Sequence, residues 1–93
     1  MTTLLTQNDI DQALATLDGW SQSGNEIART FVLPSFPAAL MFTCAAGQLA
    51  QRADHHPDIL IQYKKVTLTL STHSEGGLTQ KDVDLAGKIN AIA

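Results

Sequence analysis

Apolar residues recur with a helical period in three segments of this 93-residue chain. Segment 6–19 has apolar residues at i, i+3, i+4 and i+7, which predicts one amphipathic helix. Segment 35–54 is apolar nearly all round, so it predicts a longer helix covered on more than one side, by another element or by a subunit. Segment 74–93 starts with a Gly-Gly loop and then predicts a third helix, in which Thr79 and Asp82 have the spacing of a capping pair.

Between these helices, apolar and polar residues alternate as they do in strands, and turn residues divide each region into a hairpin. Segment 20–33 turns at Ser23-Gly24-Asn25. Segment 57–73 has its weak turn signal at Lys64-Lys65. A two-residue loop there pairs apolar with apolar residues and sets His56 opposite His73, at the open end of the hairpin.

The order helix, two strands, helix, two strands, helix predicts an α+β fold. We expect a two-layer sandwich in which a four-stranded antiparallel sheet carries the helices on one face. The length fits a single domain over 1–93. Only 16% of the residues are charged, which favours a surface partly covered in a homo-oligomer.

Charge and cysteine content exclude several classes of function. The net charge is −3, and no basic cluster exists beyond Lys64-Lys65, so direct nucleic-acid binding is not expected. Cys44 is the one cysteine, which excludes an internal disulfide and a multi-cysteine metal site; we expect it to be a small buried hydrophobe. The chain starts without a signal-peptide pattern and has no apolar run long enough for a membrane span, so a cytoplasmic location is expected.

The three histidines are the candidate chemistry. His55 and His56 follow the central helix, and the hairpin register places His73 beside them. Imidazoles titrate near pH 6.5, so three in one cleft can supply both an acid and a base. Two other interpretations remain open. The histidines could be ordinary surface residues at loop ends, or three ligands of a catalytic zinc ion.

The spacing of these residues resembles that of a known family, the pterin-4a-carbinolamine dehydratases. An aromatic residue, a histidine and an aspartate follow a His-His-Pro segment at fixed intervals, and a Gly-Trp pair precedes the first hairpin. The residues that carry the resemblance are His55, His56, Pro57, Tyr63, His73, Asp82 and Gly19-Trp20, with "LSTH" and "GLTQKDVDLA" around the last gap.

The resemblance implies an activity and a role for each site residue. Members dehydrate 4a-hydroxytetrahydropterin to quinonoid dihydropterin, use neither metal nor organic cofactor, and form dimers or tetramers partly by joining sheet edges. His55, His56 and His73 are then the catalytic residues, with His55 and His73 as acid and base in an unassigned order. His56 binds and orients the pterin and shares the proton work. Pro57 and Asp82 complete the substrate site, Pro57 by fixing the turn and Asp82 by orienting His73, unless Asp82 only caps its helix.

One position departs from the family pattern. Members usually carry a charged residue, often Glu, four positions before the first motif histidine, and this chain has Gln51. Gln keeps the hydrogen bond but not the charge, which predicts a weaker activity or a lower pH optimum. The alternative function on the same fold is a non-catalytic dimerisation, assembly or partner-binding module, as some relatives serve. Tyr63 is expected to pack in the core.

Overall fold

Three helices and four strands follow one another in the predicted order. The computed structural model describes residues 3–93; Met1 and Thr2 of the predicted domain lie outside the described residues. The elements are α1 (Gln7–Thr16), β1 (Ser21–Ser23), β2 (Glu26–Val32), α2 (Phe36–Ala53), β3 (Asp58–Gln62), β4 (Lys65–Leu70) and α3 (Gln80–Ile92). A short 3-10 turn, His73–Glu75, lies between β4 and α3.

The four strands form one antiparallel sheet in the order β1-β2-β4-β3. Its inner face contributes five buried side chains to the core: Ile27, Phe31, Val66, Leu68 and Leu70. On the other face, Thr30 and Thr67 share an exposed hydrogen bond of 2.8 Å between their hydroxyls. The α+β sandwich with helices on one face is therefore confirmed, because strand alternation puts the buried apolar side chains of β2 and β4 on one side.

The central helix α2 packs on the sheet through a stripe of small residues. Its buried side chains are Ala39, Phe42, Ala46 and Ala50, and three of these are alanines that let the backbone approach its neighbours closely. Its other face leaves Phe36, Leu40, Met41 and Cys44 exposed in the single chain. The prediction that Cys44 is buried is thus wrong. A helix that is apolar all round does not reveal from sequence which face meets the sheet.

The hairpin of β3 and β4 turns one residue earlier than predicted. Ile61 pairs with Val66 and Ile59 with Leu68, so the two loop residues are Tyr63 and Lys64. The backbone of Tyr63 is left-handed, with φ 53°, and the carbonyl of Lys64 accepts a hydrogen bond from the amide of Leu33 at 2.9 Å. The predicted pairing of His56 with His73 is therefore wrong. Moving the loop by one residue shifts each cross-strand partner by two residues. Such a shift keeps every side chain on its predicted face, so the apolar pattern does not distinguish the predicted from the observed register.

Candidate functional site

The end of α2 sends two adjacent histidines to different environments. Asp54 adopts a left-handed conformation with φ 49°, and its amide donates to the carbonyl of Gln51 at 3.1 Å. The amide of His55 donates to the carbonyl of Ala50, also at 3.1 Å. These two hydrogen bonds form a Schellman motif, which reverses the chain sharply. As a result, the side chain of His55 is buried, whereas that of His56 is exposed.

The buried histidine is paired with a buried carboxylate. Nε2 of His55 lies 2.5 Å from Oδ1 of Asp82, a residue in the first turn of α3. The side chain of His55 is 9% exposed and that of Asp82 is 0% exposed. The other oxygen of Asp82, Oδ2, accepts a hydrogen bond from the amide of Thr79 at 2.9 Å. Asp82 therefore caps its helix and also binds a histidine, but that histidine is His55 and not His73.

A third residue, Thr72, completes the surroundings of Asp82. Its hydroxyl donates to Oδ2 of Asp82 at 2.8 Å and lies 2.8 Å from the hydroxyl of Thr79. Thr72 was missed as a site residue in the sequence. Strand alternation could have identified it, because Leu68, Leu70 and position 72 share the inward face, and a polar residue in an inward position needs a hydrogen-bond partner.

The remaining nitrogen of His55, Nδ1, is not completely buried. It has no hydrogen bond within residues 3–93, and every buried side-chain nitrogen or oxygen atom in that range has a partner. A carboxylate only accepts hydrogen bonds, so a neutral His55 carries its hydrogen on Nε2 and its lone pair on Nδ1. The pair of Asp82 and His55 thus leaves one imidazole nitrogen, Nδ1, without a partner in the described residues.

The exposed histidine interacts with the helix it has just left. Nε2 of His56 lies 3.0 Å from Oε1 of Gln51. With the amide oxygen as acceptor, His56 donates from Nε2 and its lone pair also lies on Nδ1. Pro57 follows half-buried, and β3 begins only at Asp58. Proline has no amide hydrogen for the ladder, which is consistent with this late start.

His73 follows the end of β4 and is the first residue of the 3-10 turn. Its side chain is exposed and borders a pocket of about 320 Å³. The other residues lining the pocket are Ser23, Asn25, Glu26, Ser71 and Gly76. The hydroxyl of Ser71 donates to the carbonyl of Asn25 at 2.7 Å and fixes the β1–β2 turn against β4. Glu26 forms no ion pair within residues 3–93, so its carboxylate is available to a ligand.

The structure joins the predicted site residues through Asp82 rather than through direct contacts between imidazoles. Asp82 binds His55 with one oxygen and Thr72 with the other, and Thr72 directly precedes His73. No hydrogen bond links two of the three histidines in the described part of the chain. Residues 3–93 also contain no cluster of three or more His, Cys, Asp or Glu side chains arranged to hold a metal ion.

Tyr63, the aromatic residue of the motif, is not in the core. Its side chain is 70% exposed at the β3–β4 turn, where it lines a pocket of about 490 Å³ together with Val32 and Lys65. The prediction of core packing is wrong because the two-residue change of register moves Tyr63 from the strand into the turn. The turn is at the opposite end of the hairpin from the histidines, so Tyr63 lies away from the candidate site.

Comparison with known proteins supplies the family. The family model described as pterin 4 alpha carbinolamine dehydratase matches residues 3–92. A protein of Roseiflexus sp. (strain RS-1) is 53% identical over 92 residues, which cover 99% of each chain. A protein of Nocardia farcinica is 50% identical over 92 residues, covering 99% of this chain and 97% of the relative. The names of both relatives contain the words pterin-4-alpha-carbinolamine dehydratase.

Two solved structures are also similar. A protein of Brucella melitensis, described as a transcriptional coactivator/pterin dehydratase, has a TM-score of 0.93 and 40% identity, covering 98% of this chain and 99% of its own. A pterin dehydratase-like protein, described as a RuBisCO assembly factor in the alpha-carboxysome, has a TM-score of 0.65 and 20% identity, covering 80% and 86%. At that identity, the second similarity concerns the fold alone.

Proposed function

Because the chain belongs to the pterin 4 alpha carbinolamine dehydratase family, we propose that it dehydrates 4a-hydroxytetrahydropterins to quinonoid dihydropterins. In this reaction the bond between C4a and the hydroxyl oxygen breaks, N5 loses its proton, and a double bond forms between N5 and C4a. The hydroxyl leaves as water, so it needs a proton from an acid while a base takes the proton of N5. Histidine side chains can perform both transfers near neutral pH.

The observation that carries this proposal is the hydrogen bond between His55 and Asp82. A buried carboxylate that fixes the tautomer of an imidazole leaves the second nitrogen ready to accept a proton, and it stabilises the imidazolium that results. A surface histidine at a loop end does not require such a partner. We propose that Nδ1 of His55 is the nitrogen that exchanges a proton with the substrate.

The other two histidines are proposed to complete the reaction. His73 borders the pocket and is exposed, so a bound pterin can reach its imidazole. We assign His73 the complementary proton transfer. His56 binds and orients the pterin and shares the proton work, with its own tautomer held by Gln51. Pro57 stiffens the segment that presents His55 and His56.

The pocket beside His73 offers a recognition group for the pterin ring. The 2-amino group and N3–H of a pterin are two parallel donors, and a carboxylate with two free oxygens matches them. Glu26 is a carboxylate in this pocket without an ion-pair partner among residues 3–93. Glu26 and Ser23 are cross-strand partners and Ser71 lies beside them, so the carboxylate sits on a sheet surface and not on a mobile loop. We propose that Glu26 binds the pyrimidine edge of the substrate.

Self-association is a further part of the proposal, and a partner-binding role is the second candidate function. The exposed apolar face of α2, formed by Phe36, Leu40, Met41 and Cys44, supports both. A second copy of the chain would cover these residues in a homodimer or homotetramer. A non-catalytic assembly module would present the same face to another protein. The two functions differ in what they require of His55, since assembly through α2 does not involve a proton-transferring imidazole.

Stopped-flow absorbance tests the proposed reaction directly. The purified chain is mixed with freshly generated 4a-hydroxytetrahydropterin, and formation of the quinonoid dihydropterin is compared with the spontaneous rate. We expect acceleration that rises in proportion to protein concentration. A rate equal to the spontaneous one, from folded protein at saturating substrate, would exclude the dehydratase and leave the assembly module.

A further inference from the structure

A chain of buried hydroxyls lies behind the pair of His55 and Asp82. Thr72 and Thr79 are 4% and 0% exposed, and their hydroxyl oxygens are 2.8 Å apart. The hydroxyl of Thr72 donates to Oδ2 of Asp82. A hydroxyl has one hydrogen, so Thr72 has none left for Thr79, and Thr79 must be the donor between them. These hydrogen bonds therefore all point in one direction, from Thr79 through Thr72 to Asp82.

This direction fixes the orientation of the carboxylate. Oδ2 of Asp82 receives two hydrogen bonds, from the hydroxyl of Thr72 and from the amide of Thr79, which leaves Oδ1 for His55. A carboxylate held by donors on one oxygen does not rotate away from its histidine. Without the hydroxyl of Thr72, Oδ2 keeps one donor, and the hydroxyl of Thr79 loses its acceptor in a site closed to water.

Thr72 also holds the turn that carries His73. Its amide donates to the carbonyl of Gly77 at 2.9 Å, and its carbonyl accepts from the amide of Glu75 at 3.0 Å. The side chain of Thr72 thus binds the partner of His55, while its backbone anchors the 3-10 turn that starts at His73. One residue connects the two histidines that are proposed to transfer the two protons.

We propose that Thr72 is a positioning residue that acts through Asp82 to hold His55 in its Nε2–H tautomer and in register with His73. A misplacement of about 1 Å at a reacting group can reduce turnover by about 100-fold, so a single buried hydroxyl can control the rate without touching the substrate. The kinetic part of this inference rests on the proposed dehydratase activity. The tautomer of His55 does not depend on that activity and is measured independently of it.

The test compares Thr72→Val, which removes the hydroxyl at nearly constant shape, with Thr72→Ser, which keeps it. Thr67→Val is the matched control, because Thr67 and Thr30 form a hydroxyl pair of the same length on the opposite face of the sheet. Long-range ¹H–¹⁵N correlation spectra of the imidazoles report the tautomer of His55, and stopped-flow kinetics report kcat and KM. Thermal unfolding establishes that each variant is folded.

We expect Thr72→Val to lose about 10-fold or more in kcat with KM changed less than twofold, and to mix the two tautomers of neutral His55. Thr72→Ser and Thr67→Val should retain the wild-type tautomer and kcat.

Wild-type kcat and tautomer in Thr72→Val, or an equal loss in Thr72→Ser, would overturn the inference. Should Thr72→Val not fold, the wild-type spectrum still decides, since a neutral His55 protonated on Nδ1 contradicts the proposed chain. If the wild type accelerates no dehydration, the proposed function fails while the tautomer measurement still tests Thr72.

Discussion

Asp82 and His55 are separated by 27 residues in the chain, yet their side chains meet at 2.5 Å in a buried hydrogen bond. The bond joins the residue that follows the C-terminal cap of α2 to the first turn of α3, so it links the ends of two helices. It also makes one buried carboxylate serve a helix terminus and an imidazole at once. The proposed chemistry depends on this relationship more than on any other contact.

Asp82→Asn should separate the two roles of this carboxylate. Its amide group places N–H where the imidazole needs an acceptor, so His55 either loses the hydrogen bond or changes tautomer. We expect kcat to fall by about 100-fold. We also expect the free energy of unfolding to fall by about 1–3 kcal/mol, because buried donors lose their acceptor. Denaturant titration and stopped-flow kinetics measure the two effects.

Asp84→Asn is the control for this substitution. Asp84 lies two residues further along α3, is exposed, and accepts a hydrogen bond from the neighbouring side chain of Gln80 at 2.8 Å. It should retain the wild-type turnover and stability to within about 0.5 kcal/mol. Wild-type kcat in Asp82→Asn would contradict a functional role for the His55–Asp82 pair and leave Asp82 as a helix cap.

Gln51→Glu should move the pH profile upward. The amide oxygen of Gln51 lies 3.0 Å from Nε2 of His56, and a negative charge introduced there favours the imidazolium form. The pH optimum of kcat/KM should therefore rise relative to the wild type. Gln48→Glu adds the same charge at another exposed position of α2 and should leave the profile in place. Identical profiles for all three proteins would contradict a part for His56 in the proton transfer.

Glu26→Gln tests the pterin-recognition site. An amide offers one acceptor and one donor where the pyrimidine edge of a pterin presents two donors, so binding should weaken. We expect KM to rise about 10-fold while kcat stays within about threefold, since Glu26 is proposed to bind the pyrimidine edge and not the reacting atoms N5 and C4a. Asp84→Asn again removes an exposed charge as the control. An unchanged KM would place the pterin elsewhere.

Met41→Asp tests self-association through α2. Met41 is 73% exposed in the single chain, and burying a carboxylate in an apolar interface is costly. We expect the mass measured by light scattering to fall towards that of a single chain, with the helical circular dichroism retained. Gln12→Asp, at an exposed polar position of α1, should keep the wild-type mass. If Met41→Asp leaves the mass unchanged, the interface lies elsewhere, for example along the β3 edge.

Most of the fold could be predicted from the sequence because each helix and strand carries its own period. The strand face was also predictable, since Val66, Leu68 and Leu70 alternate with threonines. The hairpin register was not, because a shift of two residues preserves that face. The observed register is accompanied by the left-handed backbone of Tyr63 and by the hydrogen bond from Leu33 to Lys64. Neither feature has a sequence signature here.

The candidate site was predictable by residue type but not by contact. His55, His73 and Asp82 stand out from their spacing, whereas the partner of Asp82 depends on how the Schellman motif turns His55 inward. Thr72 was overlooked although its position on the inward face marks a buried polar group. Such contacts between distant segments follow from tertiary packing, which a single sequence does not reveal.

The most direct test of the proposed mechanism is a double-mutant cycle on the two histidines assigned to proton transfer. Stopped-flow rates of quinonoid dihydropterin formation are measured for the wild type, His55→Ala, His73→Ala and the double variant. Residues that act in one step are strongly non-additive. We predict that each single variant loses about 100-fold or more and that the double variant is little slower than the slower single one. Wild-type rates in either single variant would contradict the assignment of both histidines to one active site.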